Sequence, residues 1–99
     1  MLDELWTLVA RIPHGKVCAY GELGRALSQP VSGFQVGRWM AQAPADIPWW
    51  RVVSKLGGLP VHKKSVEAAM EQRQLLQSEG VQFDELGQVV MAETAWQFD

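Results

Sequence analysis

The sequence predicts a mainly α, winged helix-turn-helix-like single domain spanning residues 1–99, with a small β wing. Three observations carry this. Leu2, Leu5, Trp6 and Val9 recur at the spacing of one helix face. Two short helical patterns flank the breaker Ser28-Gln29-Pro30, the arrangement of a helix-turn-helix. Arg51-Val52-Val53-Ser54 reads as a strand, and Gly57-Gly58 as its turn.

The elements follow in chain order. Asp3 is the expected N-cap of the first helix, and Pro13-His14-Gly15 closes it. Lys16-Val17-Cys18-Ala19 is a short, apolar, strand-like segment. A second helix follows Tyr20 and turns Leu23 and Leu27 inward. Ser32-Gly33-Phe34-Gln35 has the Ser-x-x-Gln form of a capping box, opening a third helix with Val36 and Met40 facing in. Ala43-Pro44 to Pro48 reads as an irregular loop, and Leu59 to Lys64 as the return arm of the wing. A long helix is expected from a Ser65 cap through Val66, Met70 and Leu76 to Gly80, its stop. The tail, with Val89-Val90-Met91 and Trp96, is expected to pack back on the core.

Composition bounds the function. A chain of 99 residues with 47% hydrophobic content suits one globular domain near the small end of the range. It has no apolar run long enough to cross a membrane, and Asp3 and Glu4 stand where a signal peptide needs positive charge. A lone cysteine, Cys18, excludes an internal disulfide and fits a reducing cytoplasm, the expected location. The net charge of −2 hides a division. Residues 11–64 carry eight Lys and Arg against Glu22 and Asp46, a local +6, while residues 65–99 carry Arg73 against seven carboxylates, a local −6. Such separation points to one face turned to phosphates and another turned away.

Four segments carry a resemblance. Ile12-Pro13-His14-Gly15-Lys16-Val17 with Ala19-Tyr20-Gly21-Glu22-Leu23, then Gln35-Val36-Gly37 with Met40, then Pro48 to Val53, then Gln72-Arg73-Gln74 with Leu76 and Glu79-Gly80-Val81 occur in one order. Together they resemble the O6-alkylguanine-DNA alkyltransferases along nearly the whole chain. Those enzymes carry Pro-Cys-His-Arg-Val where this chain has Pro48-Trp49-Trp50-Arg51-Val52. Thiol transfer needs an accessible thiolate activated by a base, and an indole supplies neither part. The pattern is therefore similar to the alkyltransferase-like proteins, which bind alkylated bases without repairing them. Cys18, with no neighbouring histidine, reads as a buried inert thiol.

The resemblance implies roles for particular residues. A base inside a duplex must be extruded into a pocket to be read. Trp49 takes the acceptor position and is expected to form a flat wall of a lesion pocket, with Tyr20 turning the nucleotide's phosphate and Arg51 close by. Trp50 is expected to pack behind that pocket. Glu79 matches the glutamate of the enzymes' proton relay, here left with a structural task. The family's recognition helix carries an arginine finger, but Phe34 stands at that position, next to Gln35. Phenylalanine inserts between base steps in some minor-groove binders, so Phe34 reads either as an apolar wedge or as part of another interface. Arg38, Lys55, Lys63 and Lys64 are the expected contacts to the DNA backbone.

These residues imply a non-enzymatic reader of O6-alkylguanine in duplex DNA, binding the minor groove, flipping the nucleotide and flagging damage, with nucleotide-excision repair proteins as possible partners. A monomer is expected, with no catalytic residue, no metal and no cofactor. Two alternatives remain open: an alkyltransferase using Cys18, and a winged-helix protein-interaction module that has lost lesion binding. Phe34 and the acidic total favour the module; Trp49 and the +6 segment oppose it.

Overall fold

A computed structural model describes residues 2–55, 57–58 and 66–98. Helix α1 is Leu2–Ala10, with Leu5, Leu8 and Val9 buried. Asp3 lies inside its first turn and is not the cap expected from the sequence; there, with Glu4, it complements the positive end of the helix dipole. Strand β1, Cys18–Ala19, leads directly into α2, Tyr20–Ala26. Helix α3, Gly33–Met40, opens with Ser32 as its cap, whose hydroxyl accepts the Gln35 N–H at 3.2 Å. Val36 and Met40 are fully buried, as the spacing predicted. Between α2 and α3 the chain is tied across the turn by the Val31 N–H donating to the Gly24 carbonyl at 3.2 Å.

Ala43 to Pro48 is irregular, as the sequence predicts, and the strand begins at Val52 and not at Arg51. Trp49–Arg51 forms one 3₁₀ turn and runs straight into β2, Val52–Val53. β2 pairs parallel with β1, Cys18 opposite Val52 and Ala19 opposite Val53. The return arm that the sequence predicts for this strand, with Lys63 and Lys64, lies outside the described residues. The expected turn is present, with the Gly57 N–H donating to the Ser54 carbonyl at 2.9 Å and the Ser54 N–H to the Gly58 carbonyl at 3.1 Å.

Helix α4, Val66–Ser78, ends before Gly80, whose φ of 86° lies in the left-handed region a glycine enters without strain. The Val81 N–H then closes onto the Leu76 carbonyl at 3.0 Å. The tail contains an element that the sequence did not announce, the single-turn helix α5, Met91–Thr94. Beyond it Ala95 bridges parallel to Val17, with the Trp96 N–H donating to the Val17 carbonyl at 2.7 Å, so the tail extends the sheet on the far side of β1.

Two apolar clusters follow from this order. The larger gathers α1, α2 and α3 around Leu5, Leu23, Val36 and Met40, and includes Trp49 and Val52. The smaller joins Val17, Val53, Leu76, Val81 and Val89 beneath the sheet. No helix among the described residues is long and apolar enough to cross a membrane.

Candidate nucleic-acid interface

A groove of about 900 Å³ runs along α3. Its aromatic lining is Tyr20, Phe34 and Trp39; Gln35, Gln42 and Ser54 add polar groups, and Arg38 and Lys55 add the cations. Five of the residues singled out from the sequence therefore meet at one place: Tyr20, Phe34, Gln35, Arg38 and Lys55.

Local structure explains each position. Tyr20 starts α2, and its ring lies against α3 where Gly37 carries no side chain, about one van der Waals contact away. Burial pushes the Tyr20 phenol above its ordinary pKa, so it stays a neutral hydroxyl. Phe34 sits in the first turn of α3 and is 77% exposed. That exposure is unusual for a large apolar side chain beside a groove, and it is imposed by helix phase: Val36 and Met40 take the buried face. Arg38, one turn on, is exposed, as is Lys55 in the turn after β2.

Two expected pocket residues stand elsewhere. Trp49 is only 6% exposed and belongs to the larger core cluster; it is not part of the groove's described lining. Its indole packs edge-on to Trp50, with ring centroids 6.0 Å apart at 85°. A bulky apolar ring at the start of a turn that runs into β2 is drawn into the core by the area it removes from water. Arg51 is also off the described lining and acts as a bolt. Its Nε and Nη2 donate to Glu79 in a two-pronged contact, at 3.0 Å to Oε1 and 2.7 Å to Oε2, while Nη1 donates to the Ile12 carbonyl at 2.8 Å.

Glu79 collects more than Arg51. The Trp50 indole N–H donates to its Oε2 at 2.8 Å, and the Gly15 N–H to its Oε1 at 2.9 Å. Burial opposes ionisation of this carboxyl, but the hydrogen bonds from Arg51, Gly15 and Trp50 and the nearby guanidinium outweigh it and hold the pKa below the ordinary 4.5. Gln72, two helical turns before Glu79, is 1% exposed and donates from Nε2 to the carbonyls of Trp50 at 3.1 Å and Val52 at 3.0 Å. Gln72 on α4 and Glu79 just past its end thus grip the site loop at two points. In the sequence Gln72 is only part of a motif, since no local pattern marks a buried glutamine. The Trp50 bond to Glu79 was also beyond the sequence reading, which packed that ring behind the pocket.

The thiol offers no chemistry here. Cys18 is fully buried, and burial pushes its pKa up to about 12, with Glu22 adding to the rise. Among the described residues no group of His, Cys, Asp and Glu side chains could hold a metal ion.

The chain is similar to known proteins along most of its length. Residues 1–81 match the family model of the 6-O-methylguanine DNA methyltransferase DNA binding domain. The chain is 31% identical to the DNA base-flipping protein of Escherichia coli over 98 residues, covering 97% of this chain and 74% of that one. It is 37% identical to alkyltransferase-like protein 1 of Schizosaccharomyces pombe over 89 residues, covering 82% and 80%. The crystal structure of S. pombe Atl1 in complex with damaged DNA containing O6-carboxymethylguanine superposes with a TM-score of 0.76 at 31% identity, covering 99% of both chains.

Proposed function

The chain belongs to the family of the 6-O-methylguanine DNA methyltransferase DNA binding domain, and on that premise we propose that it recognises O6-alkylguanine in duplex DNA by flipping the nucleotide, without repairing it. The observation that carries this reading is the groove along α3, where an exposed Phe34, two exposed cations and Tyr20 share one surface. Flipping needs groups that hold the backbone, a group that enters the stack and a cavity of nucleotide size. Arg38 and Lys55 hold phosphates, Phe34 enters the stack, and Tyr20 and Gln35 stand beside the displaced nucleotide. Trp49 and Arg51 support the pocket from within, one as packing and one as the tie between the site loop, α4 and Ile12. Lys63 and Lys64 are assigned to the backbone by their charge and their place in the sequence alone.

Absence of catalysis follows from the residues themselves. Trp49 occupies the acceptor position, Trp50 leaves no base beside it, and Cys18 is a buried neutral thiol. Hand-over to nucleotide-excision repair proteins, action as a monomer and a cytoplasmic location complete the proposal.

The test is a titration against matched duplexes containing guanine or O6-methylguanine, followed by mass measurement of the protein. Tighter binding to the lesion with no added alkyl mass is expected, and Trp49→Cys alone should not bring transfer back. Equal affinity for both duplexes, with weak binding overall, would favour the protein-interaction module. Any stoichiometric gain of an alkyl group would overturn the non-enzymatic reading.

A further inference from the structure

Residues 82–90, which follow the span matched by the family model, fold into a tight hairpin. Phe83 bridges antiparallel to Val89, the Asp84 N–H donates to the Gln88 carbonyl at 2.8 Å, and the Val90 N–H to the Gln82 carbonyl at 3.0 Å. Asp84 Oδ1 accepts the Leu86 and Gln88 N–H groups at 2.9 and 3.0 Å and so fixes the turn. In an antiparallel pair, alternate residues direct their N–H and carbonyl groups away from the partner strand. Val89 is such a residue, and its outward N–H donates to the Gly57 carbonyl at 2.7 Å.

Gly57 is shaped for this contact. Its φ is 88°, and a Cβ placed there would lie 2.4 Å from the Val89 carbonyl oxygen and 3.1 Å from its nitrogen. No side chain fits without moving one backbone away from the other. Behind the contact, Val89 is 2% exposed and anchored in the smaller core cluster with Val53, Leu76 and Val81. In front of it, the same Ser54–Gly58 turn presents Ser54 and Lys55 to the groove.

We propose that the 82–90 hairpin is a positioning element for DNA binding: by clamping Gly57 it fixes where Lys55 stands in the groove, so that Gly57 and Val89 govern a phosphate contact that neither makes. The inference rests on the proposed reading of the groove as a DNA-binding surface. A rigid rear contact matters here because Lys55 follows a strand of two residues, and a turn held only by its own hydrogen bonds would let the cation wander.

A double-mutant cycle on the full chain separates the two ideas. Lys55→Ala should weaken duplex binding and lower the slope of log affinity against log salt by about one. Gly57→Ala, with an unchanged far-ultraviolet spectrum and a cooperative melt, should reproduce both effects. The double variant should then bind within about twofold of the weaker single one, because coupled residues do not add. Losses that multiply, or a Gly57→Ala protein that binds like wild type, would overturn the clamp while leaving the DNA reading intact. A Lys55→Ala protein that binds like wild type would remove Lys55 from the interface and overturn the clamp, whereas a wild-type protein that binds no duplex would defeat the DNA reading itself. If Gly57→Ala does not fold, hydrogen exchange on the wild-type protein decides: the Val89 amide should exchange severalfold more slowly with alkylated duplex bound, and unchanged exchange would overturn the proposal.

Discussion

Phe34 is the residue where physical chemistry and family pattern part company. A residue that is 77% exposed contributes little to folding, since it stays in water in the native state. It stands on the first turn of α3 and lines the groove, and on the proposed reading it enters the duplex from there. Aromatic stacking on a base is worth about 1–3 kcal/mol, which sets the expected effect. Phe34→Ala should lose on the order of tenfold in affinity for an alkylated duplex, with stability within about 0.5 kcal/mol of wild type, as for other surface substitutions. Phe34→Arg should keep or improve binding. A titration beside a denaturant melt checks both; a Phe34→Ala protein that unfolds, or binds as tightly as wild type, would return this residue to the core or to another interface.

At the scale of elements, the lock between α4 and the site loop makes a pH prediction. Glu79, with its side chain 6% exposed, pairs with Arg51 at 14%, and its folded pKa lies below the ordinary value of 4.5. A depressed carboxylate gives stability that is present above its unfolded pKa and lost as pH falls through the folded one. Melting temperature should therefore fall as pH drops below about 4.5, and the fall should be shallower in Glu79→Gln, which has no charge to lose. Glu79→Ala should cost on the order of 3 kcal/mol at neutral pH, because it strands a half-buried guanidinium. Parallel pH curves for wild type and Glu79→Gln would show that the lock carries no such load. The sequence revealed the parts of the fold unevenly. Ser32, Val36, Met40 and Gly80 were legible because caps, helix phase and stops are local signals. The parallel pairing of Cys18 with Val52, the bond from Trp50 to Glu79 and the burial of Trp49 were not, because each joins residues far apart in sequence and leaves no periodic trace. The contact of Gly57 with Val89 is hidden for the same reason, since from the sequence alone Gly57 is an ordinary turn glycine.

At the scale of the molecule, the net charge of −2 conceals a cationic half of +6 in residues 11–64 and an anionic half of −6 in residues 65–99. The fold keeps this division useful. Arg38 and Lys55 line the groove, whereas Glu67 and Glu71 are exposed on α4, outside the groove's described lining. Binding that neutralises phosphates releases counterions, so log affinity should fall linearly with log salt, by about 0.9 per phosphate contacted. Arg38→Gln should reduce that slope by about one and weaken binding to lesion and undamaged duplexes alike. The Glu67→Gln and Glu71→Gln pair changes net charge by twice as much in the opposite direction, yet should leave the slope unchanged, because those carboxylates displace no counterion from DNA. Total charge and local contact therefore predict different results. If the Glu pair alters the slope as strongly as Arg38→Gln does, the overall field governs binding and the groove along α3 loses its claim as the interface.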